Sequence, residues 1–172
     1  NLYLHDLHTM DAGGLDTRLS VKPTQLGLDI SEQACIANVM KIVDQAARTG
    51  RVIWIDMEYS KYVDPTIKLF ETVRSTHANV GICVQAYLHR TPRDLDQLLR
   101  ITTAIRLVKG AYREAPDVAI QSKHEVDNAY MQLATRLLEE AATGREVGAP
   151  PAFATHDTKL LHRINPIARD RT

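Results

Sequence analysis

The 172-residue sequence is short of several features that mark whole classes of protein. Its two cysteines are too few for a disulfide scaffold, and their spacing matches no metal-binding motif. Lys plus Arg equals Asp plus Glu at 21 each, so the basic surplus that is typical of a nucleic-acid-binding domain is missing. No run of about 18 apolar residues is present, which argues against a membrane-spanning helix. An apolar share of 44% and a charged share of 24% are typical of one soluble globular domain.

The first residues also lack the basic start and the apolar core of a signal peptide. Residues 1–6 have the pattern of a helix already under way, which predicts that the N-terminus is truncated. Cys35 and Cys83 fall in a predicted helix and an apolar strand, where we expect small buried thiols. Such thiols fit a reducing compartment.

Apolar, β-branched runs alternate with stretches of helical periodicity along the chain. We predict strands at residues 19–22, 52–55, 80–84, 105–108 and 152–155, and helices that begin near residues 31, 64, 91, 123 and 156. This alternation predicts successive βαβ units, and therefore an α/β protein with a parallel sheet.

Three of the helices carry specific local predictions. The spacing of apolar residues in the helix over 31–48 predicts a buried face, made of Ile36, Val39, Met40, Val43 and Ala47. Asp64 precedes Pro65 and Thr91 precedes Pro92, so we predict that Asp64 and Thr91 are the N-caps of the two following helices.

Every predicted strand ends in polar or charged side chains. In chain order these are Lys22, Asp56 with Glu58, Gln85, Arg106 with Lys109, and Thr155 with His156. Right-handed crossovers bring the carboxyl ends of parallel strands to one edge of the sheet, where barrels of βα units build their active sites. The pattern therefore predicts a functional site at that edge.

The charged groups at the first two strand ends have several possible chemistries. Lys22 can bind an anionic substrate group, act as a base, or form a structural ion pair. Asp56 and Glu58 lie two residues apart and face the same way on an extended backbone. They can act as acid and base, bind a metal, or neutralise nearby cations. No histidine cluster accompanies them, so neutralisation of Lys22 and Arg106 is the favoured interpretation.

The later strand ends are open to similar alternatives. The amide of Gln85 suits the polar edge of a heterocycle or a backbone group in the core. Arg106 lies inside a strand, so its charge must be partnered. Lys109 can hold a phosphate or form a Schiff base, and Gly110 permits a close approach of the backbone by a ligand. His156 is either structural or a cofactor contact. Because neither a Walker motif nor Gly-x-Gly-x-x-Gly is present, a dinucleotide would not bind as in the Rossmann fold.

Together these pieces resemble the proline dehydrogenase family. The matching motifs, in family order, are residues 20–27 (SVKPTQLG), 55–58 (IDME), 81–87 (GICVQAY), 106–112 (RLVKGAY) and 154–157 (ATHD). The resemblance covers about residues 2–161 and implies a distorted (βα)8-type barrel, of which about five βα units are represented. Residues 1–172 would then be a single domain truncated at the C-terminus. Residues 165–172 depart from the family, and the helix whose arginine pair grips the proline carboxylate is absent.

The resemblance implies FAD-dependent oxidation of L-proline to Δ1-pyrroline-5-carboxylate, the first step of proline catabolism. A hydride would pass to flavin N5, and the electrons would pass to a membrane quinone. Asp56 and Arg106 would be catalytic, Arg106 by stabilising the reduced ring from the flavin edge. The residues expected to bind substrate are Lys22, Ala111 and Tyr112. Those expected to bind FAD are Met57 through its backbone, Gln85, Val108, Lys109, Gly110, Thr155 and His156. No metal site is expected.

Two alternatives remain open at this point. One is a non-catalytic barrel fragment that needs missing segments or a partner chain to complete its sheet. The other is an aldolase that forms a Schiff base on Lys109. The favoured interpretation implies a cytoplasmic protein that can associate peripherally with the inner membrane, does not bind nucleic acid, and is compatible with an oligomer.

Overall fold

The computed structural model describes residues 2–144 and 148–169. In chain order its elements are α1 (Leu2–Ala12), β1 (Leu19–Val21), α2 (Glu32–Ala47), β2 (Ile53–Ile55), α3 (Val63–Arg74), β3 (Val80–Gln85), α4 (Thr91–Leu98), β4 (Ile105–Val108), α5 (Lys123–Ala141), β5 (Ala152–Phe153) and α6 (Thr158–Arg169). Two 3-10 turns, Pro23–Leu26 and Ser60–Tyr62, follow β1 and precede α3. The strands of the described residues form one sheet in the order β1-β2-β3-β4-β5, which confirms the predicted α/β class.

The chain divides into two compact units, Asn1–Ile82 and Cys83–Thr172, with the boundary inside β3. In the first unit β1 pairs in parallel with β2, so that Ser20 lies opposite Trp54, and β2 pairs in parallel with β3. Because these strands are parallel, their carboxyl ends lie at the same edge. The backbone N–H of Asp56 donates to the Val21 carbonyl at 2.9 Å, which extends the ladder one residue beyond β2.

The core of the first unit lies between its strands and the helices α2 and α3. Trp54 of β2 and Phe70 of α3 are almost fully buried. Each such side chain contributes about 1.5–3 kcal/mol relative to an exposed one. Helix α2 begins at the predicted position, because the Ser31 hydroxyl accepts a hydrogen bond from the Ala34 N–H at 3.2 Å. This cap sets the start of the helix that follows the Lys22 strand end.

The predicted buried face of α2 was partly wrong. The fully buried residues of this helix are Cys35, Val39, Ile42, Val43 and Ala46, so two of the five predicted positions, Val39 and Val43, are confirmed. The helix packs against α1, α3 and the turn Pro23–Leu26. Its buried face is therefore set by several neighbours. The buried residues that were not predicted each lie one position before a predicted one.

Both predicted proline-associated caps were wrong. Helix α3 begins at Val63, directly after a 3-10 turn, so Asp64 lies in its first turn and not at its N-cap. Helix α4 has Arg90 at its N-cap, and the Thr91 hydroxyl donates to the Gln85 carbonyl at 2.5 Å. The hydroxyl of Thr91 thus satisfies the end of β3 and leaves the helix start uncapped by a side chain.

In the second unit β4 pairs in parallel with β5, and Arg106 lies opposite Ala152. Helix α5 packs against β4 and α6, and the buried hydroxyl of Tyr130 donates to the Leu107 carbonyl at 3.1 Å. The chain that follows β3 runs along the end of β4, because Ala86 N–H donates to the Val108 carbonyl at 2.8 Å. This arrangement places Gln85 beside the Arg106 strand.

Within the part of the chain that the structure describes, no helix combines the length and apolarity required to cross a membrane.

Candidate active site

The ends of β1 and β2 in the first unit are joined by an ion pair. Lys22 Nζ lies 3.0 Å from Asp56 Oδ2, and the Lys22 side chain is 42% exposed against 19% for Asp56. The predicted neutralisation of Lys22 by Asp56 is therefore present. A pair that is this exposed contributes about 0–1 kcal/mol to stability, so its main effect is to orient the ammonium group.

Glu58 has a role that the sequence did not reveal. Its side chain is buried, accepts from Thr24 N–H at 2.9 Å and accepts from the Thr24 hydroxyl at 2.7 Å. A carboxylate here satisfies the start of the turn Pro23–Leu26, which has no side-chain cap of its own. Glu58 therefore fixes the turn that directly follows Lys22.

Tyr3 and Cys35 contact the same turn. The Tyr3 hydroxyl accepts a hydrogen bond from the Lys22 N–H at 3.2 Å and donates to Gln25. The Cys35 thiol lies 3.5 Å from the Pro23 carbonyl. Burial, followed by the negative charge of Glu58, raises the pKa of this thiol to about 11. A thiol with so high a pKa is a poor nucleophile at neutral pH, which agrees with the predicted structural role.

In the second unit, Gln85 and Arg106 lie on neighbouring strands. Gln85 is the last residue of β3 and only 2% exposed, while Arg106 is half-buried within β4. The Val108 carbonyl is used by the Ala86 N–H in the ladder between these segments. A buried amide at the end of β3 and a half-buried cation within β4 are thereby carried on neighbouring strands.

Lys109 belongs to a group of four alternating charges, here named the charge cluster and formed by Lys109, Lys123, Asp127 and Asp157. Lys109 Nζ lies 2.5 Å from Asp127 Oδ1 and 2.8 Å from Asp157 Oδ2. Lys123 Nζ lies 2.8 Å from Asp127 Oδ2 and 3.5 Å from Asp157 Oδ2. Only Lys109 of these four was predicted as a site residue.

The charge cluster shifts the pKa values of its members in the expected directions. Burial lowers the pKa of Lys109, but its hydrogen bonds to Asp127 and Asp157 outweigh this effect and raise the pKa above its ordinary value. The hydrogen bond from Lys109 is the main cause that lowers the pKa of Asp157 to about 2, and it likewise lowers the pKa of Asp127. The cluster is therefore fully ionised at neutral pH.

Gly110 is required by a contact within the protein that the sequence did not predict. Its φ is 120°, and a Cβ added there would collide with the Cγ, Cδ1 and Cε1 atoms of the Tyr87 ring. The Tyr87 N–H also donates to the Lys109 carbonyl at 2.9 Å. The close approach to this glycine is made by a ring of the protein itself, and the prediction of a ligand contact at Gly110 stays a prediction.

The remaining predicted residues differ in accessibility. Met57 is buried, Ala111 and His156 are exposed, and Tyr112 is half-buried. The Thr155 hydroxyl accepts from the Asp157 N–H at 3.1 Å. The structure thus brings together Lys22 with Asp56 in the first unit, while in the second unit Gln85 lies on β3, Arg106 lies on β4 and Lys109 directly follows β4. Their common use in binding one ligand stays a prediction.

The residues that sequence reasoning missed are Glu58 as a partner of Thr24, Tyr3, Tyr87, Asp127 and Asp157. Two local signals were available, and the first is the i,i+4 spacing of Lys123 and Asp127 on a helix. Asp157 also stands before α6, where its carboxylate accepts from the Lys159 N–H at 3.1 Å as a helix cap does. Neither signal indicated a contact with Lys109.

A family model and the curated relatives of this chain point to the same family. A sequence model described as Proline dehydrogenase matches residues 3–172. Proline dehydrogenase 2 of Bacillus subtilis (strain 168) is 34% identical over 156 residues, which cover 91% of this chain and 49% of that protein. Proline dehydrogenase of Deinococcus radiodurans is 31% identical over 158 residues, which cover 89% of this chain and 49% of that protein. The chain therefore spans about half the length of these curated relatives, and the family predicted from the motifs is confirmed.

Solved structures agree in fold. Proline utilization A (PutA) from Bdellovibrio bacteriovorus, inactivated by N-propargylglycine, has a TM-score of 0.79 at 23% identity over 98% of this chain and 22% of that chain. A PutA variant from Bradyrhizobium japonicum has a TM-score of 0.81 at 18% identity over 99% of this chain and 21% of that chain. At these identities the likeness shows the fold alone, and it supports the predicted (βα)-barrel type.

We predict that Gly110→Ala lowers the free energy of unfolding by about 2–5 kcal/mol, because a positive φ and a collision with the Tyr87 ring add together. Gly50→Ala is the matched control, since Gly50 has a φ of 69° and no atom within 4 Å of an added Cβ. It should cost about 1–2 kcal/mol from backbone strain alone. Urea unfolding measures both, and equal losses would show that the ring moves aside at no cost.

We also predict that Asp157→Asn flattens the acid dependence of stability. The pKa of Asp157 is lowered in the folded state from 3.8 to about 2, so its stabilising contribution is complete above the unfolded pKa. That contribution is lost as the pH falls through the range between these two values. Urea midpoints measured across this range should fall less steeply for the variant than for the unaltered protein. Parallel curves would contradict the role given to the Lys109–Asp157 contact.

Proposed function

The chain belongs to the proline dehydrogenase family, and we propose that the protein oxidises L-proline to Δ1-pyrroline-5-carboxylate with FAD as its cofactor. The observation that carries this proposal is the set of side chains at the strand ends. A lysine–carboxylate pair follows β1 and β2, and a buried amide and a cation lie at β3 and β4. These are the positions at which barrels of βα units carry their chemistry.

The residues of the second unit fit a flavin in part. The Gln85 amide provides a donor and an acceptor, and Arg106 provides a cation on the neighbouring strand. Both suit the carbonyl and N–H groups at the pyrimidine edge of a flavin. The side chains of Lys109 and Thr155 already bind groups of the protein. Their contacts with FAD would therefore come from the backbone, as they would for Met57, Val108 and Gly110, while His156 has an exposed ring.

FAD, when bound, supplies a hydride acceptor at N5 and a route for the electrons to a membrane quinone. The contribution of the chain is electrostatic and geometric. Arg106 would provide a fixed positive charge to the flavin edge, which favours the reduced form of the ring. Asp56 holds the Lys22 ammonium by the 3.0 Å contact, so this cation does not have to be ordered when substrate arrives.

On the substrate side, Lys22 would attract the proline carboxylate. Its ammonium has three donors, and the side chain remains 42% exposed although it is paired with Asp56. Ala111 and Tyr112, which follow the Lys109–Gly110 turn, would border the pocket for the pyrrolidine ring. The quinone partner, and with it a cytoplasmic location with peripheral attachment to the inner membrane, belong to the same proposal.

The Schiff-base alternative is disfavoured by the surroundings of Lys109. A lysine nucleophile must lose its proton, and burial without a counter-charge is the usual means of achieving this. Lys109 instead contacts two carboxylates, which raise its pKa. Proline oxidation therefore remains the function that the geometry supports best.

We predict that the purified protein shows flavin absorption bands in the visible range, and that anaerobic L-proline bleaches them. Bleaching reports transfer of electrons from substrate to the cofactor before any acceptor is added. Dithionite is the control, because it reduces a bound flavin without using the substrate site. Bands that dithionite bleaches and proline does not would contradict the substrate. A protein without bands that does not take up added FAD would contradict the cofactor and favour a non-catalytic fragment.

We predict that Arg106→Met lowers the rate of flavin reduction by proline about 100-fold or more, the size expected when one fixed charge-stabilising group is removed. The free energy of unfolding should change by about 1 kcal/mol or less, because methionine retains much of the apolar stem. Stopped-flow reduction and urea unfolding give the two values. Arg100→Met, at an exposed position, is the matched control and should change neither. Loss of stability in proportion to loss of rate would make Arg106 structural.

A further inference from the structure

The charge cluster joins three elements that are far apart in sequence. Lys109 follows β4, Lys123 and Asp127 lie on the first turns of α5, and Asp157 precedes α6. The contacts from Lys109 span 18 residues to Asp127 and 48 residues to Asp157. All four groups belong to the second unit. The cluster therefore ties the end of a strand to the starts of two helices.

The composition of the cluster argues against a role of Lys109 as an anion-binding cation. Two ammonium groups and two carboxylates give a net charge of zero. Two of the three Lys109 donors are used by Asp127 and Asp157, at 2.5 and 2.8 Å. An anionic ligand that approached Lys109 Nζ would also approach both carboxylates, whose repulsion offsets the attraction of the lysine.

The backbone of Lys109 is also held by hydrogen bonding. Its carbonyl accepts from the Tyr87 N–H at 2.9 Å, and the next residue, Gly110, packs against the Tyr87 ring. The side chain of Lys109 contacts residues of α5 and of the start of α6, and its backbone contacts the segment after β3. Residues 108–110 are thus restrained from two sides.

We propose that Asp127 and Asp157 are positioning residues, which hold Lys109 so that the backbone of residues 108–110 is preformed for the flavin. Lys109 then acts as an anchor and not as a cation that binds the cofactor phosphates. This inference rests on the proposed function, because FAD is the ligand that the restrained backbone receives. Leaving one member of a partly buried ion pair without its partner is costly, so each member should matter to a similar degree.

The test is a double-mutant cycle read by FAD affinity. Lys109→Met, Asp127→Asn, Asp157→Asn and the Lys109→Met/Asp127→Asn double variant are titrated as apo-proteins with FAD, by quenching of flavin fluorescence. We expect each single variant to raise the FAD dissociation constant about tenfold. The dissociation constant of the double variant should be no higher than that of whichever single variant binds FAD less tightly. We also expect the visible circular dichroism of the bound flavin to change in the same variants.

The anion-binding alternative predicts results of the opposite sign for the two aspartate variants. If Lys109 binds the phosphates, Asp127→Asn and Asp157→Asn remove repulsion and tighten FAD, while Lys109→Met weakens it. Tighter or unchanged FAD binding in the aspartate variants would overturn the proposal, as would losses that add in the double variant. Lys68→Met removes a similar but exposed contact with Glu32 and should leave FAD affinity unchanged.

Urea unfolding without flavin separates this inference from the proposed function. The free energies of unfolding of the same variants show whether Lys109 and Asp127 are coupled in the folded protein. If they are coupled but FAD affinity is unchanged in the variants, only the positioning role is overturned. Unaltered protein that binds no FAD would overturn both. If the Lys109 and aspartate variants fail to fold, Lys123→Met provides the readout, since Lys123 is 77% exposed. Its removal should weaken FAD binding by about threefold, which is less than the loss of Lys109, and an unchanged affinity would count against the proposal.

Discussion

The pairing of each strand-end lysine with carboxylates from other elements is the interaction that positions the charged groups at the edge of the sheet. A charge placed at the edge of a buried sheet loses part of its hydration, and a nearby opposite charge offsets that loss. Lys22 has Asp56, and Lys109 has Asp127 and Asp157. These pairs allow polar groups to stand at the ends of strands whose other side chains form the core.

The same principle explains how much of the fold and site could be predicted. Strands such as Ile53–Ile55 are apolar over their full length, and the polar residue that follows each one is visible in the sequence. Parallel pairing then brings those ends to one edge whatever the details of packing. The α/β class, the five strands and the pairing of Lys22 with Asp56 therefore followed from local pattern and strand order.

The contacts that could not be predicted depend on where separate elements meet. Asp127 reaches Lys109 only because α5 begins beside the end of β4, and Tyr87 reaches Gly110 only because the chain turns after β3. Neither contact can be predicted from the sequence of either segment alone. Three of the five positions predicted for the buried face of α2, and the caps at Asp64 and Thr91, were wrong for the same reason. In each case a neighbouring element, and not the intrinsic preference of the segment, decided the outcome.

The buried thiol of Cys35 gives the first unit a chemical reporter of its own opening. The thiol contacts the Pro23 carbonyl, and its pKa of about 11 leaves almost no thiolate at neutral pH. Alkylating reagents react with the thiolate, so they can modify this residue only when the turn after Lys22 separates from α2. The rate of labelling at Cys35 would therefore report how often the turn after Lys22 separates from α2, and this measurement does not depend on a catalytic assay.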